Sequence, residues 1–156
     1  MHDDNPYAAP NARLDAAGTG AVVPLYSPGQ VAAAGFLGGP VGLIWFLKAN
    51  FAALGNVRLE RKTVVLGIVL LVALVAIMPF LPEQLPGVVF TVLYVFIGRY
   101  VAEKYQMRKE AIAESERFTF HSNWRVFGIG LLCLLGSLVA IGLPLVVLEI
   151  VRNGTA

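Results

Sequence analysis

TVVLGIVLLVALVAIMPFL, residues 63–81, runs for 19 positions without a charged side chain. Wound as a helix at 1.5 Å per residue it is about 28 Å long, close to the thickness of a bilayer's hydrocarbon core. The rest of the chain agrees with a membrane reading. Of its 156 residues 57% are hydrophobic and 14% charged, and the mean hydropathy is +0.71. A soluble domain commits roughly a quarter of its residues to Asp, Glu, Lys and Arg, so this chain lacks the polar side chains to cover a water-facing surface.

Working outward, Pro79 and Pro82 end this run, and Pro82-Glu83-Gln84-Leu85-Pro86 is long enough only for a tight hairpin. The next apolar stretch, Leu85 to Ile97 with its exit at Arg99, Tyr100 and Val101, must therefore return antiparallel to it. Upstream, Ser27-Pro28-Gly29-Gln30 is a helix start: Ser27 caps, Pro28 takes the first helical position and Gln30 completes a capping box. The apolar part that follows, Val31 to Leu47, is about 25 Å of helix, near the short limit for crossing a membrane. Gly55 supplies a left-handed helix stop, and Asn56 can cap the helix after it. Downstream, Ser122 can cap a last helix whose apolar run, Val126 to Leu148, is about 34 Å long and has room to tilt.

These runs predict an all-α membrane protein: a four-transmembrane-helix bundle over residues 27–149, with spans near 31–47, 63–81, 85–101 and 126–148. Residues 1–26, with three prolines and no apolar periodicity, read as a flexible tail, and 150–156 as a short polar one. Asp3 and Asp4 at the start argue against a secretory signal peptide. The segment Arg99 to Arg117, rich in helix formers of both charge signs, is expected to carry the third helix on into water. A competing arrangement makes the weak first run re-entrant or interfacial, with three true spans and the N-terminal tail in the cytoplasm.

Four spans would place Lys48, Arg58, Arg61, Lys62, Arg99, Lys104, Arg108, Lys109, Arg117 and Arg125 on one side, and only Arg13 and Arg152 on the other. Ten against two puts the basic loops in the cytoplasm, with both termini on the opposite side of the membrane. Interfacial anchors fall at the same ends: Trp45 with Lys48, Arg61 with Lys62, Arg99 with Tyr100, and Trp124 with Arg125.

Little in the chain offers chemistry. One cysteine (Cys133) and two histidines (His2, His121) exclude an internal disulfide and the usual multi-cysteine or multi-histidine metal sets. No ionisable residue lies inside the apolar runs, where a proton- or ion-coupled transporter needs one. The alternating charges after Arg99 read as a solvated helix face with local pairs such as Arg99–Glu103. No cofactor, metal or catalytic residue is expected. The cationic clusters are explained by the lipid bilayer, without nucleic acid.

The most distinctive stretch is Gly35-Phe36-Leu37-Gly38-Gly39-Pro40-Val41-Gly42. Gly35 and Gly39, and Gly38 and Gly42, stand four apart, the spacing that lets helix backbones approach closely in lipid. Pro40 removes a helical hydrogen bond, which predicts a kink. Gly136 and Ala140 on the last helix offer the matching small surface.

Tyr26-Ser27-Pro28-Gly29-Gln30, Phe36 to Pro40 and Ala53-Leu54-Gly55-Asn56 together resemble the opening of a group of small uncharacterised bacterial multi-pass inner-membrane proteins. Asn5 to Pro10 is similar to tails that precede bacterial membrane domains. The resemblance covers the first third of the chain, implies a helical bundle in the inner membrane, and transfers no activity. The expected role is non-enzymatic: association through helix surfaces, as an accessory subunit of a membrane-protein partner or as a homo-oligomer. A channel or facilitator for a small neutral solute, constricted at Pro40, and an immunity-type membrane protein are the alternatives.

Overall fold

The computed structural model describes residues 22–82 and 84–154. In chain order these form β1 (Val23–Leu25), α1 (Pro28–Ala53), α2 (Val57–Ile77) with a 3-10 turn (Met78–Phe80), α3 (Val88–Tyr105), α4 (Lys109–Ala113), β2 (Phe118–Phe120), α5 (Asn123–Ser137), a π-helical turn (Leu138–Gly142) and α6 (Leu143–Gly154). The π turn has a local cause. Pro144 has no N–H to give to the carbonyl four residues back, so the ladder is re-spaced just before it.

Three helices are long and apolar enough to cross a membrane: α1, α2 with its 3-10 end, and the continuous α5–α6 rod from Asn123 to Gly154. Length is not path, however, and α1 does not run straight. Along an unbroken helix Tyr26 and Asn50 would lie about 36 Å apart. Instead the Tyr26 N–H donates to Asn50 Oδ1 at 2.8 Å, and Asn50 Nδ2 donates back to the Tyr26 carbonyl at 2.7 Å. The chain reverses at Gly39, whose φ of 60° and ψ of −149° lie outside the helical region. Residues 28–38 and 40–53 are two arms of a helical hairpin, so close near the tip that a Cβ on Gly42 would sit 2.5 Å from the Ala34 carbonyl oxygen. The expected first span, kinked but crossing, is corrected to a helix folded in two.

The hairpin is the centre of the molecule. Val31, Ala34 and Phe46 are fully buried in it, and α2, α3 and α5 pack around it. Ile44 on the second arm meets Gly67 of α2, Tyr94 of α3 meets Gly35, and Gly130 of α5 meets Leu37. More than half of the apolar stretch of α1 is buried within the chain (56%), against 11% for α2 and for α5–α6. Val65, Leu66, Val69 and Val72 on α2, and Leu132, Leu135 and Val139 on the last rod, face outward uncovered.

β1 and β2 are a parallel pair with Val23 opposite Phe118 and Leu25 opposite Phe120, extended by His121 N–H donating to the Leu25 carbonyl at 3.0 Å. Each strand feeds a helix, so the first arm of α1 and α5 leave the clasp side by side. The last residues of the stretch read as tail are therefore part of the fold: Leu25 and Tyr26 are buried. The rest of that reading, residues 1–21, lies outside the described residues. Likewise α6 runs on to Gly154 through most of the segment read as a polar tail.

Two further expectations change. The third helix ends at Tyr105 instead of continuing to Arg117, because Gln106 leaves helical geometry (φ −116°, ψ −130°) and its amide donates to the Leu47 carbonyl of α1 at 2.9 Å. The five-residue α4 takes up part of the rest, and β2 begins at Phe118, just beyond it. The start of the described chain also lies beside the basic 106–122 connection, where the Val23 N–H donates to the Arg117 carbonyl at 2.9 Å, and not opposite it.

Candidate functional site

Two groups of polar side chains hold the hairpin, one at its tip and one at its open end. At the tip, the break leaves backbone groups without helical partners, and Ser137 of α5 serves two of them. Its hydroxyl donates to the Gly38 carbonyl at 2.6 Å and accepts from the Val41 N–H at 3.2 Å. α5 reaches that point because its facing positions are small: a Cβ on Gly38 would lie 2.8 Å from the Cys133 Cβ and 3.1 Å from the Gly130 carbonyl oxygen. Small side chains thus admit a polar group to an apolar interior, where it serves the Val41 N–H and the Gly38 carbonyl.

The glycines singled out from spacing therefore divide between neighbours. Gly35 lies against the Tyr94 backbone of α3, Gly38 against Gly130 and Cys133, Gly39 against Ser137, and Gly42 against its own first arm and Cys133. Pro40 is buried at the start of the second arm. On α5 the close approach is carried by Gly130, Cys133 and Ser137, one helix face. Gly136 touches Val41, and Ala140 sits half-buried in the π turn.

At the open end, Asn50 is 2% exposed and joins three segments. Besides its pair of bonds to the Tyr26 backbone, its amide donates to Gln106 Oε1 at 2.8 Å, and Gln106 in turn reaches Leu47. The capping box forms as the sequence requires: Gln30 N–H donates to Ser27 Oγ, and Ser27 N–H to Gln30 Oε1. The Gln30 amide then crosses to α5, donating to the His121 carbonyl and to Asn123 Oδ1, both at 2.8 Å. Ser122 holds the N-cap position of α5 without a side-chain capping bond. Asn56 does cap α2, accepting from the Leu59 N–H, after Gly55 at φ 70° ends α1.

Tyr26 is the hub of this end. Its ring lies 4.1 Å from that of His121, 4.5 Å from Phe46 and 6.0 Å from Trp45, and its hydroxyl accepts from Arg125 Nε at 3.2 Å. The remaining interfacial residues gather at the same end. Lys48 pairs with Glu60 at 3.6 Å, Arg99 with Glu103 at 2.8 Å, and Lys104 donates to the Tyr100 hydroxyl. Arg61 and Lys62 are exposed on α2, and Trp124 is exposed beside Phe127.

Burial, and then the Arg125 charge, hold the His121 imidazole below its ordinary pKa. The folded protein thus favours the neutral ring, and the unfolded chain takes up more protons as pH falls through about 6.5. Stability from this group is fully present above that pH and declines below it. Melting temperature is expected to fall between pH 7.5 and pH 5.5, on the order of the single titrating group involved. His121→Phe, which keeps the ring stack, should flatten that part of the profile; an unchanged slope would remove His121 as its source.

What the arrangement can do chemically is hold backbone. The Ser137 hydroxyl, the Asn50 amide and the Gln30 amide are each engaged in bonds that fix the hairpin, and Cys133 is buried against Gly38. Among the described residues no three of His, Cys, Asp and Glu group as metal ligands. Sequence reading passed over Asn50 and Gln106, because an amide near a helix end looks like solvated surface until its distant partners are known. Set against known protein families, curated proteins and solved structures, the chain matches none of them.

Proposed function

We propose that this chain is a non-enzymatic integral membrane protein of the bacterial inner membrane that acts by association, with a membrane-protein partner or with copies of itself. The observation that carries this reading is the contrast in burial: α1 is enclosed, while α2 and α5–α6 leave long apolar faces uncovered along their length. Lipid and a partner helix are the surroundings that suit such faces. The polar side chains inside the bundle support a scaffold over a catalyst, since they are spent on the hairpin.

The path of the chain favours three passages between the two ends of the bundle: α2 and α5–α6, each long and apolar enough to cross alone, and a shorter return by residues 84–105 through α3, whose last two turns are charged, with α1 as a re-entrant hairpin entering from the basic end. Non-helical backbone at membrane depth is tolerated where protein encloses it, as Ser137 and Cys133 enclose Gly39 here. Lys48, Arg58, Arg61, Lys62, Arg99, Lys104, Arg108, Lys109, Arg117 and Arg125 then share the cytoplasmic side with the first described residues, Val22 to Leu25, and Arg152 sits opposite. The facilitator reading, with its constriction at Pro40, is disfavoured because the Ser137 hydroxyl and the α5 backbone occupy the space beside the break.

Single cysteines in a Cys133→Ala background test the path. Reagents that cannot cross the membrane should label Gln84→Cys and Asn153→Cys in intact cells, and Val22→Cys and Ser115→Cys only after permeabilisation. Labelling of Val22→Cys from outside would restore a crossing first helix. Association is read by mass spectrometry of the protein purified in mild detergent. A fixed stoichiometry, with itself or one partner, is expected; a lone monomer from membranes cross-linked before extraction would overturn the functional reading.

A further inference from the structure

We propose that the first turns of α2 form a binding site for an anionic phospholipid, its phosphate held by Arg58, Arg61 and Lys62 and an acyl chain lying along Val65 and Leu66. The proposal rests on the membrane reading above. With Val57, these side chains line one groove of about 820 Å³. Their spacing, 58, 61, 62, 65, 66, places them on one helix face, and the order along it is that of a lipid: cations in the first two turns, apolar side chains after them. The same face continues through Val69 and Val72, both exposed.

Among the described residues the charge on this face is uncompensated. Glu60, the carboxylate nearest in sequence, is turned toward α1, where its Oε1 lies 3.6 Å from Lys48 Nζ. Among the described residues no carboxylate comes within ion-pair distance of Arg58, Arg61 or Lys62. Guanidinium groups suit phosphate because they present paired donors in a plane, and an ammonium adds a point charge. The face also lies at the start of α2, the positive end of its dipole.

The other basic crevice shows what distinguishes this one. Between the start of α1, the end of α3 and α4 lies a space of about 740 Å³ lined by Arg99, Lys104, Arg108 and Lys109, but also by Glu103 and Glu110. Arg99 is already bound to Glu103 there at 2.8 Å. A soluble phosphate would leave the apolar half of the α2 groove bare, which is why a lipid is the occupant that fits it.

The test is native mass spectrometry of the full chain released from nanodiscs of phosphatidylglycerol or of phosphatidylcholine. Wild type should retain phosphatidylglycerol in preference. Arg58→Gln/Arg61→Gln/Lys62→Gln together should weaken that retention by about tenfold or more, given the attraction of each cation to anionic lipid. Arg58→Lys/Arg61→Lys should keep most of it, and Arg108→Gln/Lys109→Gln on α4 should leave it unchanged. Wild-type retention in the triple glutamine variant would overturn the site, as would loss of retention in the α4 variant. Displacement of the lipid by millimolar inorganic phosphate would reassign the groove to a free anion and overturn it too. Failure of the protein to enter discs of either lipid would instead overturn the membrane reading, and the lipid site with it.

Discussion

Asn50→Leu is expected to destabilise the protein by about 2–5 kcal/mol, although it places a more apolar side chain of similar size in a buried position. If burial of apolar surface decided the matter, the exchange would be neutral or favourable. It is not expected to be, because Asn50 is the partner of both polar groups of the Tyr26 backbone and of Gln106. Leucine leaves the Tyr26 N–H and carbonyl without partners in the interior, and each such orphan costs roughly 1–3 kcal/mol. The effect should extend beyond stability. Without that pair of bonds the open end of the hairpin is held mainly by the Tyr26–Phe46 contact, so backbone exchange at Leu25 and Tyr26 should speed up before global unfolding. Thermal unfolding in nanodiscs and hydrogen exchange at these two amides measure both effects. A melting temperature at or above that of wild type would mean that Asn50 does not hold the hairpin closed.

Gly39→Leu is the second large effect, on the order of 2–5 kcal/mol, from two sources that act together. A backbone at φ 60° and ψ −149° lies in a region that is essentially glycine's alone, and a side chain there costs about 1–3 kcal/mol. The Cβ would also stand 3.2 Å from Ser137 Oγ, so the rest of the leucine must displace the hydroxyl that serves Gly38 and Val41. Straightening the helix offers no escape: the residue before Pro40 is disfavoured in α geometry, and a straight helix would tear Asn50 from Tyr26. Val69→Leu, at an exposed position on α2, is the control and should change the melting temperature little, because lipid accommodates the added volume. If the two variants melt alike, Gly39 is not a required hinge.

Much of this protein is written locally and can be read without a structure. The capping box at Ser27 and Gln30, the stop at Gly55, the cap at Asn56 and the disruption at Pro40 each depend on residues within a turn or so of one another, and each forms. The membrane class follows from composition, since too few charged side chains exist to face water whatever the fold. The segregation of cations to one end follows from their order along the chain.

What the sequence left open is where the chain goes after the break. A disrupted helix at Gly39-Pro40 is compatible with a kinked crossing or with a reversal, and the choice rests on two dihedral angles of one glycine, which can reach positive as well as negative φ. The reversal is selected by contacts remote in sequence: Asn50 with Tyr26, Gln106 with Leu47 and Asn50, Ser137 with Gly38 and Val41. The clasp of β1 and β2 is hidden for the same reason, because strands of three residues show no periodicity and their partners lie at opposite ends of the bundle's connectivity. Backbone polar groups freed by the break must find partners inside the bundle, and which side chains supply them is determined only when distant segments meet.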